Sequence, residues 1–145
     1  MHAIDLSEAY LEKASEKVKN KADVRFEKMA AEDLKFDDSK FDIVFSCFLH
    51  HELPQEVRQK SFNEAYRVLK PGGKFVMIDS VQKGDQPDFD WALHNFPIEF
   101  HEPFYRNYTL KPIKEMHSHL NINSMQEEVQ LLAKSFSYTK GDSHS

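Results

Sequence analysis

Residues 41–80 read FDIVFSCFLHHELPQEVRQKSFNEAYRVLKPGGKFVMIDS, and this stretch decides the fold. Phe41, Ile43, Val44 and Phe45, then Cys47, Phe48 and Leu49, form a nearly unbroken apolar run, as do Phe75, Val76, Met77 and Ile78. Apolar runs without two-residue alternation predict strands buried on both faces, as in a parallel sheet covered by helices. Between them, Phe62, Ala65, Tyr66 and Leu69 recur at helical spacing, and Pro54 stands where a helix accepts proline, at its first position. Pro71-Gly72-Gly73 ends that helix, because glycine accepts a left-handed cap and proline cannot continue the helix. The unit is strand–helix–strand, and a parallel connection requires such a crossover.

Composition bounds what this unit can belong to. The chain has 145 residues, enough for one domain with its own core, and 30% of them are charged. The formal charge of −5, with no dense Lys/Arg cluster, argues against nucleic acid as a partner. The single cysteine, Cys47, sits in a buried-looking strand and cannot form an intramolecular disulfide, which fits a reducing compartment. No apolar run of membrane-spanning length and no signal-peptide core is present, so neither insertion nor export is expected, and a cytoplasmic setting is.

Outward from the central unit, His2-Ala3-Ile4-Asp5 reads as the end of a strand. Ser7 can cap a helix running to about Asn20, with Leu11, Ala14 and Val18 on one face. Val24–Lys28 is a short strand, and Asp37-Asp38-Ser39-Lys40 a polar turn. Beyond the central unit, Asp88–Asn95 reads as a short helix and Phe96–Tyr108 as aromatic, proline-broken and irregular. Lys111–Leu120 reads as a helix with His117 and His119 on its surface. Met125–Gln130 and Leu132–Thr139 read as two strands, antiparallel because their link is too short for a crossover. The domain is expected over 1–140, with 141–145 a frayed tail.

This order of elements, with its motifs, resembles the class I S-adenosylmethionine-dependent methyltransferases. Ile4-Asp5-Leu6-Ser7 is similar to the end of that family's second strand, and Ala31-Glu32-Asp33-Leu34-Lys35-Phe36 to its adenine loop. Phe41-Asp42-Ile43-Val44 with Leu49-His50-His51 resembles its fourth strand and following loop. Arg67-Val68-Leu69-Lys70-Pro71-Gly72-Gly73 is the most specific match. A tighter resemblance is to bacterial small-molecule members, through His51–Pro54, Asp79–Asp85 and His101–Tyr105. The resemblance implies an α/β, Rossmann-like sheet, mostly parallel with an antiparallel last strand, S-adenosyl-L-methionine as cofactor and a small-molecule methyl acceptor.

It also implies site residues. Asp5 and Leu6 would meet the ribose, Ala31 and Glu32 the adenine, and Cys47 the cofactor at the end of the fourth strand. His50, Asp79 and Tyr105 would face the substrate, with His51 or His101 as base. A metal is not expected, because adjacent histidines rarely converge on one ion and no third ligand follows at a recognisable spacing. Arg67 is expected to anchor its helix by a salt bridge. Methyl transfer from a sulfonium asks the protein mainly to bind, align and sometimes deprotonate the acceptor, so no catalytic triad is required.

Two departures stand out. The family's opening strand and its glycine-rich loop are absent: the only glycines are Gly72, Gly73, Gly84 and Gly141. In the adenine loop the family's Asp and Pro fall at Ala30 and Lys35. The family's strand order, 3-2-1-4-5-7-6 in its own count, makes the missing strand the central one. Either Met1–Asp5 and Phe41–Cys47 re-pair, or the chain is an N-terminally truncated piece of a longer protein, the expectation favoured here. The alternative function is a non-catalytic, methyltransferase-like module acting through protein contacts, its sheet gap filled by a partner strand or a second copy.

Overall fold

The structure is a computed structural model and describes residues 1–19, 22–99 and 102–142. Strand β1 (His2–Asp5) leads into helix α1 (Glu8–Val18), and Ser7 Oγ caps that helix by accepting from the Tyr10 N–H (3.3 Å). Strand β2 (Arg25–Lys28) pairs parallel with β1. Strand β3 (Phe41–Cys47), helix α2 (Gln55–Val68) and strand β4 (Leu69–Ser80) form the expected parallel crossover, with Val44 opposite Phe75 and Cys47 opposite Ile78. Pro54 is the N-cap of α2, one place ahead of the expected position, and the last strand of the crossover begins at Leu69, before the Pro-Gly-Gly turn. Strands β5 (Ile122–Gln130) and β6 (Ala133–Lys140) close the sheet as an antiparallel hairpin, with β6 lying antiparallel beside β4.

The strands form two sheets, β1-β2 and β3-β4-β6-β5. They do not re-pair across the gap: β1 and β3 each keep one edge without a ladder partner among the described residues. Burial on both faces is therefore not what the structure shows. Val44, Phe75, Met77, Phe136 and Tyr138 point into the core, with Phe62 and Ala65 of α2 packed against them. On the opposite face Ile43 is 65% exposed and Phe45 57%. Cys47, which ends a strand read as buried, is exposed, because it lies on that open face at the end of an edge strand.

The short helix expected over Asp88–Asn95 is α3 (Asp90–Glu99), which runs on into the segment expected to be irregular, and that segment also enters a second helix, α4 (Tyr105–Leu110). The helix expected over Lys111–Leu120 shrinks to α5 (Ile113–Met116). His117, expected on the surface, is buried between the rings of Phe62, Phe75, Phe136 and Tyr138. Gly141, expected in a frayed tail, is buried and its N–H donates to the Asn121 carbonyl (2.8 Å). No described helix is long and apolar enough to cross a membrane.

Candidate active site

Parallel pairing brings the C-terminal ends of β3 and β4 to one side of the sheet, where open α/β sheets bind ligands. After Cys47 the chain must turn at once. Phe48 does so with φ of 47°, and its N–H donates to the Ile78 carbonyl (2.8 Å). Residues His50–Glu52 then form a single tight helical turn above the end of β4. This puts two consecutive histidines against Asp79, whose side chain is completely buried.

Asp79 is held by three donors. Its Oδ2 accepts from the His50 N–H (2.8 Å), and its Oδ1 accepts from the Ser80 N–H (2.8 Å) and meets His51 Nδ1 at 2.5 Å. A carboxylate can only accept, so the His51 proton sits on Nδ1, and Nε2 carries the lone pair of the neutral ring. Burial alone would push the His51 pKa down, but the hydrogen bond and charge of Asp79, with the charges of Glu52 and Glu102, outweigh it and hold it above the ordinary imidazole value. Tyr105 and Tyr108 of α4 place their rings 5.7 and 6.2 Å from the His51 ring, and Phe48 lies edge-on at 6.3 Å. The arrangement fixes the ring through one nitrogen and leaves the other able to take a proton, which is what a general base requires.

The neighbours are structural in a definite sense. His50 is 1% exposed and stacked on Phe62 at 4.2 Å, with its ring nitrogens bracketed by Ser46 Oγ (3.2 Å) and Ser61 Oγ (3.3 Å). Burial lowers its pKa to about 3. It supports the turn from inside the core and does not line the mouth where a substrate contact was expected. Tyr105 is also buried, sharing a hydrogen bond with Ser80 Oγ (2.5 Å), and burial raises its pKa. His101 lies outside the described residues.

The expected cofactor residues occupy the other sheet and the end of β3. Asp5 ends β1, half-buried, and its Oδ1 accepts from the Ser7 N–H (2.7 Å), while Oδ2 takes no hydrogen bond among the described residues. Leu6 is exposed; Ala31 and Glu32 are half-buried in the turn after β2. That loop is clamped from α2. Arg67 donates to the carbonyls of Leu34 (2.9 Å) and Phe36 (2.8 Å) while paired with Glu64 and Asp38, and Glu64 accepts from the Leu34 N–H (2.8 Å). Arg67 thus anchors more than its own helix.

These residues fit a nucleoside. One free carboxylate oxygen at a strand end can accept from ribose hydroxyls, and a fixed turn can flank a base. They do not complete a cradle for the methionyl half. The two left-handed glycines, Gly72 and Gly84, lie beyond β3, and no glycine precedes it.

Two residues at this end of the sheet were given no role by the sequence, Arg58 and, inside the Asp79–Asp85 motif, Gln82. Arg58 is fully buried on α2, and its only signal is position: it stands one turn before Phe62 on the apolar stripe. Gln82 is buried beside α4. Its amide donates to the carbonyls of Tyr108 (2.7 Å) and Lys111, and its carbonyl accepts from the Ile113 N–H (3.1 Å).

A sequence profile for the methyltransferase domain family matches residues 1–73. The demethylmenaquinone methyltransferase of Staphylococcus carnosus is 38% identical over 79 residues, covering 54% of this chain and 32% of that protein. The fatty-acid O-methyltransferase of Mycolicibacterium smegmatis is 34% identical over 80 residues, covering 55% and 28%. The chain thus spans about a third of the length of the curated relatives it matches. Among solved structures, phosphoethanolamine N-methyltransferase 2 of Haemonchus contortus in complex with S-adenosyl-L-methionine superposes with a TM-score of 0.72 at 19% identity, over 97% of this chain and 43% of that one.

Proposed function

Because the chain belongs to the methyltransferase domain family, we propose that it carries part of an S-adenosylmethionine-dependent methyltransferase acting on a small-molecule acceptor, with His51 as general base. The observation behind this reading is the buried Asp79–His51 pair at the strand ends. When bound, the cofactor supplies a methyl group on an already activated sulfonium. Asp79 fixes the His51 ring, and Nε2 takes the acceptor's proton as the acceptor atom becomes a nucleophile. Asp5, with Leu6, Ala31 and Glu32, holds the adenosine part, and Cys47 sits at the end of the strand between the two groups. The curated relatives named above act on quinone and fatty-acid acceptors by their names, which supports a small-molecule acceptor for this chain without selecting one.

Calorimetric titration with S-adenosylhomocysteine tests the cofactor half. Binding is expected, and Asp5→Ala should weaken it on the order of tenfold, the scale of a lost charge-assisted pair of hydrogen bonds. Unchanged affinity in Asp5→Ala removes the ribose assignment. A second reading, a module working through protein contacts, draws on the open edge of β3 and the exposed Ile43 and Phe45. Micromolar binding of S-adenosylhomocysteine to this chain alone would sink it.

A further inference from the structure

Arg58 is the one fully buried guanidinium among the described residues, and no carboxylate there lies within ion-pair distance of it. Taking a cation out of water without an adjacent anion costs several kcal/mol, and an apolar residue would suit that helical stripe better. Its contacts account for it. Nε donates to the His50 carbonyl and Nη2 to the Leu53 carbonyl, both at 2.8 Å. Those two carbonyls bracket the turn that carries His51. Nη1 donates to Asn107 Oδ1 (3.3 Å), and the guanidinium lies 5.2 Å over the Tyr108 ring. Asn107 in turn donates to Gln55 Oε1 at the start of α2 (3.3 Å). One planar group therefore grips both the turn that carries the base and the helix whose Tyr105 and Tyr108 wall it.

We infer that Arg58 is a positioning residue for His51: by joining the His50–Leu53 turn to α4, it holds the imidazole in register with the Asp79 carboxylate. This rests on His51 being the base, but its test does not require methyl transfer. Lysine cannot replace the grip, since its ammonium is a point charge without the fork that reaches three acceptors in one plane.

The test is the pH titration of the His51 ring, followed by NMR of the imidazole nitrogens. The charged and titratable groups facing that ring are Asp79 on β4, Glu52 and His50 in its own turn, Glu102 ahead of α4, and Tyr105 and Tyr108 on α4, while Arg58 on α2 reaches the turn through its carbonyls. In the unaltered chain His51 should titrate above free imidazole. Arg58→Lys and Arg58→Gln should both move it back toward the free value, as Asp79→Asn should, with the Nδ1 proton signal to Asp79 lost. If Arg58 acted only through its charge, Arg58→Gln would move the titration upward and Arg58→Lys would leave it in place; either result overturns the positioning role. Asn107→Ala, which removes the link to α4 and keeps the guanidinium on the His50 and Leu53 carbonyls, is the variant to read if the Arg58 substitutions do not fold. It should lower the His51 titration in the same direction, and an unmoved titration there also overturns the proposal. Failure of S-adenosylhomocysteine to bind, with these shifts present, would count against the cofactor reading and not against Arg58.

Discussion

His50 and His117 are each only 1% exposed, and burial keeps them neutral, with pKa values lowered to about 3 and about 4 from the ordinary 6.5. The unfolded chain takes up protons on both rings below pH 6.5 and the folded chain does not. Their contribution is therefore present above pH 6.5 and is lost as pH falls toward 4, at up to ~1.4 kcal/mol per pH unit for each ring. His51 works the other way: its raised pKa adds stability below 6.5 that disappears as pH rises through its folded value. Urea unfolding midpoints should accordingly fall between pH 6.5 and 4, and His117→Phe should make that fall shallower. An unchanged slope would mean His117 titrates freely. At this scale the sequence was legible in parts. Asp79 and His51 are each recognisable as strand-end residues, but their pairing spans 28 positions and no local pattern reports it. His117 reads as a surface residue because Ser118 and His119 follow it, whereas three separate elements bring aromatic rings around it.

The Pro71-Gly72-Gly73 turn near the start of β4 shows what an element demands of its residues. Gly72 has φ of +74° with open space where a side chain would stand, so its requirement is conformational. Gly73 lacks room: an added Cβ would lie 2.8 Å from the Lys70 carbonyl and 3.1 Å from the Asp42 carbonyl, both backbone atoms. Gly73→Ala should lose about 1–3 kcal/mol in denaturant unfolding, the usual cost of forced overpacking. Gly72→Asn should lose less, since asparagine tolerates the left-handed region. Equal losses would show that the crowding at Gly73 is relieved by movement. The Pro-Gly-Gly turn, α1, α2 and the closing hairpin were all readable, because each announces itself through helical spacing, a cap or alternation. Helix α3 was readable only over its first half, and α4 was not. Pro97 and Pro103 and the crowd of aromatics mask their periodicity, and α4 is held by tertiary partners such as Gln82 and Arg58, not by strong local propensity.

Across the whole molecule the class of fold was legible and the state of its sheet was only half so. The apolar runs of β3 and β4 suggest burial on two sides, and the structure covers one; a run of Ile, Val and Phe carries no notice of which neighbour it was selected to meet. The open edges of β1 and β3 could be anticipated only by counting strands against a family order, and the described residues form two separate sheets. The division also distributes stability unevenly. The β1–α1–β2 piece has a helix with no fully buried residue and a two-stranded sheet of four residues each. Its ties to the rest include the Arg67 and Glu64 clamp on the loop after β2 and the ring contacts among His2, Phe36 and Phe41. Such a piece should open locally while β4 and β6 stay shut, so its amides should exchange with solvent orders of magnitude faster than those of Phe75 or Phe136. Equal protection in the two sheets would refute this. Asp5 and the loop after β2 ride on that fast-exchanging piece. Any ligand they grasp must also hold the piece closed, so its apparent affinity is lowered by the free energy of closure, and slowed exchange in β1 and β2 would report its arrival.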